Sequence, residues 1–290
     1  MSESLPTERH KIFPHELSFL LLWAAVLVAL GFKGAFKPVD LLGPVLISGL
    51  LIVMKKGEVG AWFQARMWFP FIGFNITYNW LGDAIPRLTN WRGDACLLSI
   101  DRALFGECLS SKVAPWVSGG VYELLSGAYL LFFPLFVTGF IVAARRGGKA
   151  RTAFFSGFYL IYAIGFTGYA LCPAAGPFRY EELAGELHAL HPEGLISRLN
   201  DSIVRAGCNG VDVFPSLHTA ATIFVLLSAR TLSRRLFAVL LVPACLIVVA
   251  TIGLQYHYAA DVVAGAVLAV LVWRWFVRPL RKPLSIHSPS

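Results

Sequence analysis

The sequence predicts an all-α fold, a polytopic bundle of membrane helices. Three observations carry this. The first is composition: 57% of the 290 residues are hydrophobic and 14% are charged, where soluble chains carry about a quarter charged residues. The second is a series of apolar runs, each close to the roughly 20 residues that one helical crossing needs. The third is the placement of charge, with basic residues gathered in short clusters beside those runs. The net charge of +8 therefore marks topology and not a nucleic-acid partner.

The runs lie near residues 16–32, 40–54, 61–82, 119–143, 153–173, 216–230, 236–256 and 258–277. The second is short, and the third carries Arg66 and Asn75. The N-terminal stretch MSESLPTERHKIFPHE is polar, and no small-residue cleavage site follows the first run. The first span is thus expected to be retained and not removed as a signal peptide. Three basic clusters (Arg145, Arg146, Lys149 and Arg151; Arg230, Arg234 and Arg235; Arg274, Arg278, Arg281 and Lys282) all fall on one side of an alternating topology. The positive-inside rule places that side, and with it both termini, in the cytoplasm. Lys55, Lys56, Arg9 and Lys11 agree, whereas Lys33 and Lys37 dissent.

The outer segments are then 83–118, 174–215 and the turn near 257. WRGDACLLSIDRALFGECLSS mixes apolar and charged residues as an interfacial helix does, and its Asp101–Arg102 pair reads as a surface or structural ion pair. The stretch from Pro173 to Pro215, about forty residues, is long for a connection. It contains the helix-like pieces EELAGELHAL and GLISRLNDSIVRAG, the latter with Leu195, Ile196, Leu199, Ile203 and Val204 at helical spacing. A structured outer-face lid is expected there. Four of the five cysteines (Cys96, Cys108, Cys172 and Cys208) lie near this side, so a Cys172–Cys208 or Cys96–Cys108 bridge stays open in an oxidising compartment. No Cys or His spacing suits a metal, and no metal or other cofactor is expected.

Three patches meet at the outer face: CPAAGPFRY (Cys172–Tyr180), FPSLHTA (Phe214–Ala220) and HYAAD (His257–Asp261). His257 and Asp261 are four apart, one helical turn on one face. An Asp bonded to one imidazole nitrogen leaves the other as an outward lone pair, a nucleophile or a base. His218, on another span, is placed to protonate a leaving oxygen. Ser216 and the free N–H groups of its helix's first turn make an anion site, with Pro215 suited to that turn. Arg179 adds a permanent planar cation for phosphate oxygens. The set describes metal-free phosphoryl transfer through a phosphohistidine. Taken singly, Ser216 is a helix cap, the histidines are interfacial residues and Arg179 is a topology or headgroup residue. Asp261 resists a plain reading, because a carboxylate inside a span is costly.

FPSLHTA and HYAAD resemble the second and third motifs of the type 2 phosphatidic acid phosphatase superfamily. IDRALFG followed by CPAAGPFRY is similar to its inositol phosphorylceramide synthase-like branch. The resemblance spans about residues 83–277 and implies a six-span catalytic core over 61–277 with the lid at 174–214. Residues 1–60 would then be a tail with two additional spans, and 278–290 a cytoplasmic tail. It implies His257 as nucleophile, Asp261 as its orienting partner, His218 as general acid and then base, and Ser216 and Arg179 as phosphate contacts. Where the family's phosphatases have a lysine and a proline in the first motif, this chain has Cys172 and Tyr180. Thr251 stands where they have an arginine six residues before the histidine. Arg87, Arg92, Arg198 and Arg205 are left as cations that could substitute in space.

A phosphodiester carries one negative charge and a phosphomonoester up to two, so fewer cations favour headgroup transfer over removal of a terminal phosphate. The expected activity is therefore movement of a phosphoryl headgroup from a phospholipid donor to a lipid alcohol, with the site on the outer face. No obligate protein partner is expected. The first alternative is a phosphatase acting on lipid phosphates or polyprenyl diphosphates with the same residues. A non-enzymatic transporter or scaffold explains the spans but not the Ser216/His218 patch. A haloperoxidase uses the same residue set, in a soluble form with all three cations.

Overall fold

A computed structural model describes residues 12–56, 60–183 and 192–280. Among these the elements are helical, apart from one isolated bridge between Ala174 and Asp212. Six stretches are long and apolar enough to cross a membrane: Pro14–Phe32, Pro38–Lys56, Gly119–Arg146, Gly148–Leu171, Arg234–Gly253 and Ala259–Leu280. The remaining two expected spans are also helices. Gly60–Leu88 is long but polar at both ends, and Leu217–Leu232 is apolar but has only 16 residues. The chain is thus an all-α polytopic bundle.

In chain order the helices are α1 (Pro14–Phe32), α2 (Leu42–Lys56), α3 (Gly60–Leu88), α4 (Asp94–Phe105), α5 (Leu109–Val113) and α6 (Gly119–Leu130). They continue as α7 (Phe132–Arg146), α8 (Gly148–Leu171), α9 (Leu195–Gly207), α10 (Leu217–Leu232), α11 (Arg234–Gly253) and α12 (Ala259–Phe276). α6 and α7 form one crossing that breaks at Leu131. Pro134 supplies the reason, since it cannot donate to the carbonyl four residues back and its ring crowds that carbonyl. α8 is the axis of the bundle. Its Phe154, Phe155, Phe158, Tyr159 and Phe166 are buried, and α1, α3, α7, α10 and α12 pack around it.

The polar residues that made span three look weak have hydrogen-bond partners, Arg66 buried and Asn75 on the exposed side of its helix. Arg66 Nη2 donates to Glu16 Oε2 at 2.6 Å, a buried pair between α3 and α1, and Asn75 Nδ2 donates to its own helix at Phe71 O. Trp23 Nε1 bonds Thr77 Oγ1 at 2.8 Å, and the Tyr159 hydroxyl bonds the Met67 carbonyl at 2.8 Å. These contacts tie α1, α3 and α8 together. The dissenting Lys37 is explained by local pairing at 3.3 Å with Asp83. Beside it the buried Asp40 accepts from Arg87 Nη2 at 2.7 Å and from Trp80 Nε1 at 2.9 Å.

The two segments read from the sequence as helical connections, around α4 and α9, are helical as expected. α4 buries Asp94, Leu97, Leu98 and Asp101 and exposes Ile100 and Leu104. α9 reproduces the helical spacing, but its apolar stripe of Leu195, Ile196, Leu199 and Ile203 faces away from the protein, while Ser197, Asn200 and Val204 face inward. A helix with polar contacts inward and an apolar face outward suits the membrane interface. Glu123 of α6 holds its start, accepting from Gly194 N at 3.1 Å and Ile196 N at 3.2 Å. Of EELAGELHAL, residues 181–183 form a 3-10 turn and the rest lies outside the described residues.

α10 and α12 approach closely at Gly265. A Cβ built there would lie 2.3 Å from the Ser216 carbonyl oxygen, a backbone atom that cannot swing aside. Gly265→Ala is expected to destabilise the protein by about 1–3 kcal/mol through overpacking. The displaced α10 start should lower activity at the same time. Thermal melting in detergent and specific activity together check this, and an unchanged melting temperature with full activity would refute it.

Candidate active site

Helix geometry brings the second and third patches together. α8 and α11 run toward one end of the bundle and α10 and α12 run away from it, so Leu171, Ser216, Gly253 and Tyr258 all lie at that end. Ser216 is the N-cap of α10, and its Oγ accepts from Thr219 N at 3.3 Å. Pro215 is therefore not in the first helical turn. It precedes the cap, joined to Phe214 by a cis peptide bond. The cap is docked on the third patch, because Ser216 N donates to the Asp261 carbonyl at 3.1 Å. Ser216 Oγ takes one of the helix's free N–H groups, and those of Leu217 and His218 remain open by helix geometry.

His257 is 4% exposed and Asp261 is fully buried. Asp261 Oδ1 lies 2.9 Å from His257 Nδ1, and Oδ2 accepts from Tyr258 N at 2.9 Å. A carboxylate can only accept, so the proton of this pair sits on Nδ1 and the lone pair on Nε2. Ser216 Oγ is 3.4 Å from Nε2, but its single proton goes to Thr219 Oγ1 at 3.0 Å. Nε2 is thus lightly held and free to attack.

His218 stands across the site, with its ring centroid 6.1 Å from that of His257. It stacks on Tyr129 at 4.7 Å and packs on Phe132 at 4.5 Å. The Tyr129 hydroxyl lies 3.4 Å from His218 Nδ1, which leaves Nε2 for a substrate oxygen. Two imidazoles thus flank one space, one backed by a carboxylate and the other by aromatic rings. His218 is on α10, whereas His257 lies in the turn that precedes α12 and not on the helix with Asp261 as expected.

The first patch supplies the rim. Gly176 takes a left-handed φ of +87°, and a Cβ there would lie 2.5 Å from the Tyr256 carbonyl oxygen. Only glycine allows this approach. Phe178 N donates to the Gln255 carbonyl at 3.1 Å, so the Arg179 turn is bonded to the turn that presents His257. Arg179 itself is exposed, and its Nη1 bonds the Cys208 carbonyl at 3.4 Å and not either histidine. Burial pushes the neighbouring Cys208 thiol up to about 12, which keeps it neutral.

The two positions at which the resemblance led one to expect cations hold packed neutral groups. Cys172 Sγ lies against Gly93, and Thr251 is buried with its hydroxyl bonded to the Val248 carbonyl at 2.7 Å. The Thr251 carbonyl accepts from both Tyr256 N and His257 N at 3.1 Å. Of the four arginines considered as substitutes, Arg87 is paired with Asp40 and Asp83, and Arg205 is paired with Asp201. Arg198 bonds the Glu193 carbonyl, and Arg92 bonds the Gly210 carbonyl at 3.1 Å beside the second patch. All five cysteines are free. No group of three metal-binding side chains occurs among the described residues.

Several residues around the site escaped the sequence reading. Asp101 is not a surface residue; it is fully buried and accepts from Ala259 N and Ala260 N at 3.1 Å. Asp94 and Ser110 are also buried against the third patch. The available signal was the seven-residue interval between Asp94 and Asp101, which puts both on one helical face.

The model of the PAP2 superfamily matches residues 96–275. A phosphoinositol dihydroceramide synthase of Bacteroides thetaiotaomicron is 26% identical over 261 residues, covering 82% of this chain and 85% of the relative. No solved structure matches significantly.

Proposed function

The chain belongs to the PAP2 superfamily, and on that premise we propose that it is a membrane lipid phosphotransferase, moving a phosphoryl-linked headgroup from a phospholipid to a lipid alcohol. The observation that carries the reading is the orientation of His257. Its Nδ1 is held by a buried carboxylate at 2.9 Å, its Nε2 lies 3.4 Å from the Ser216 cap, and the His218 ring stands 6.1 Å away between centroids. In the first step Nε2 attacks the donor phosphorus, the phosphorus–oxygen bond to diacylglycerol breaks, and His218 gives that oxygen its proton. The headgroup phosphate then rests on His257. In the second step the acceptor hydroxyl loses its proton to His218 and attacks phosphorus, and the phosphorus–nitrogen bond breaks. Leu217 N–H, His218 N–H and the cap at Ser216 serve the phosphate oxygens, and Arg179 meets the headgroup at the rim.

Transfer is favoured over hydrolysis by the neutral groups at Cys172 and Thr251, which suit a singly charged diester. The relative's name points to a phosphoinositol donor and a dihydroceramide acceptor. The basic clusters at the α7–α8 and α10–α11 turns and at the end of α12 lie at the far end of the bundle. The positive-inside rule then places the site on the non-cytoplasmic face and the N-terminus in the cytoplasm. A metal is not required by any of these steps.

The test uses purified full-length protein in lipid–detergent micelles with a chelator present, phosphatidylinositol as donor, and dihydroceramide or diacylglycerol as acceptor. Mass spectrometry and a free-phosphate assay are run together. The expected product is a new lipid carrying the inositol phosphate, with an equal amount of diacylglycerol released. Free phosphate from phosphatidate without a new lipid would replace transfer by hydrolysis, and activity lost to the chelator would overturn metal independence.

A further inference from the structure

Four consecutive residues of the third patch are each held by a side chain from one short stretch, residues 94–110. Ser110 Oγ donates to the His257 carbonyl at 2.7 Å. The Tyr258 hydroxyl donates to Asp94 Oδ1 at 3.1 Å. Asp101 Oδ2 accepts from Ala259 N and its Oδ1 from Ala260 N, both at 3.1 Å. The same carboxylates reach other segments. Asp94 accepts from Ala175 N at 3.0 Å and Gly176 N at 2.9 Å, and Asp101 accepts from Leu109 N at 3.3 Å. Asp94, Asp101 and Ser110 are all fully buried.

Burying two carboxylates is a costly way to pack α4 against the bundle, and apolar side chains would do it with less desolvation. What the carboxylates add is direction. Each fixes N–H groups of a particular turn, and Asp94 fixes two turns at once, joining the Gly176 turn to Tyr258. Asp101 also fills the N-terminus of α12 from behind, so that positive helix end is not open to an anion. The open helix end is then that of α10, next to His218. We propose that Asp94, Asp101 and Ser110 are positioning residues for the transfer. They set the height and direction of His257 relative to α10 and to the Arg179 turn, and they act through backbone without touching substrate. The inference rests on His257 being the group that receives the phosphoryl headgroup.

The test compares Asp101→Asn and Ser110→Ala with wild type as full-length protein in lipid–detergent micelles. It reads kcat, KM for each lipid, and the amount of phosphoryl-protein formed in a single turnover with a phosphorus-labelled donor. A misplacement of about 1 Å can cost about 100-fold in rate. Asp101→Asn is therefore expected to lower kcat about 100-fold and Ser110→Ala about 10-fold, with KM changed by less than about 3-fold. The phosphoryl-protein should form more slowly by the same factors. The positioning role is overturned if both variants keep wild-type kcat per folded molecule. It is equally overturned if activity falls only as the folded fraction falls, since a purely structural role predicts that. His257→Gln, run alongside, separates the two readings. Activity surviving there removes the nucleophile assignment, whereas an inert His257→Gln beside a fully active Asp101→Asn removes the positioning role alone.

Discussion

Replacing His257 with alanine is expected to abolish formation of the transferred lipid, lowering the rate by at least about 10,000-fold. Among the described residues, the side-chain oxygen of Ser216 is the alternative group beside that nitrogen. Ser216 Oγ, 3.4 Å from Nε2, is committed to Thr219 and is a weak nucleophile without a base. The loss should appear in kcat for every donor, because the intermediate itself cannot form. Alanine also leaves the buried Asp261 without its partner at Nδ1, and an uncompensated buried charge costs about 3–5 kcal/mol. His257→Gln is the better control for folding, since its amide can donate to the carboxylate and yet has no nucleophilic nitrogen. Asp261→Asn should fall between, with a loss of about 1,000- to 10,000-fold, because the amide no longer fixes the proton on Nδ1. Rates measured in micelles on monodisperse protein decide this. Activity above one part in a hundred in a folded His257→Gln variant would remove the phosphohistidine from the mechanism.

Much of this arrangement was legible in the sequence. The apolar runs located the spans because lipid leaves a helix no alternative way of satisfying its backbone. Alternation of the runs placed Ser216, His218, His257 and Asp261 at one end of the bundle, and a four-residue interval was enough to pair His257 with Asp261. The illegible parts were the partners supplied by distant chain. Nothing near Arg66 shows that Glu16 neutralises it from another helix. Asp101 sits beside Arg102, and the adjacency suggested an ion pair, yet consecutive helical residues point apart and Asp101 turns inward to α12. Pro215 looked like a first-turn proline because the motif ends in a helix. The cap at Ser216 moved that boundary by two residues. The apolar stripe of α9 was visible, but its direction was not, since a stripe facing the core and one facing lipid have the same spacing.

His218→Ala is expected to slow transfer from phosphatidylinositol by about 100- to 10,000-fold, the range for loss of a positioned general acid and base. The size matters less than its dependence on the leaving group. Diacylglycerol leaves as a strongly basic alkoxide unless protonated, so the first step needs His218. A donor with a nitrophenyl leaving group needs no proton, because nitrophenolate is stable on its own. With that donor the variant should complete the first step at close to the wild-type rate and release one nitrophenol per enzyme. The second step still requires a base to take the acceptor's proton, and it should remain slow. The outcome is a stoichiometric burst followed by a slow phase, with the headgroup phosphate accumulating on His257. Tyr129 and Phe132 hold the His218 ring by stacking at 4.7 Å and 4.5 Å, so the alanine variant loses the acid without an obvious substitute. A His218→Ala variant equally slow with both donors, and without a burst, would mean that His218 binds or shapes the site and does not move the proton.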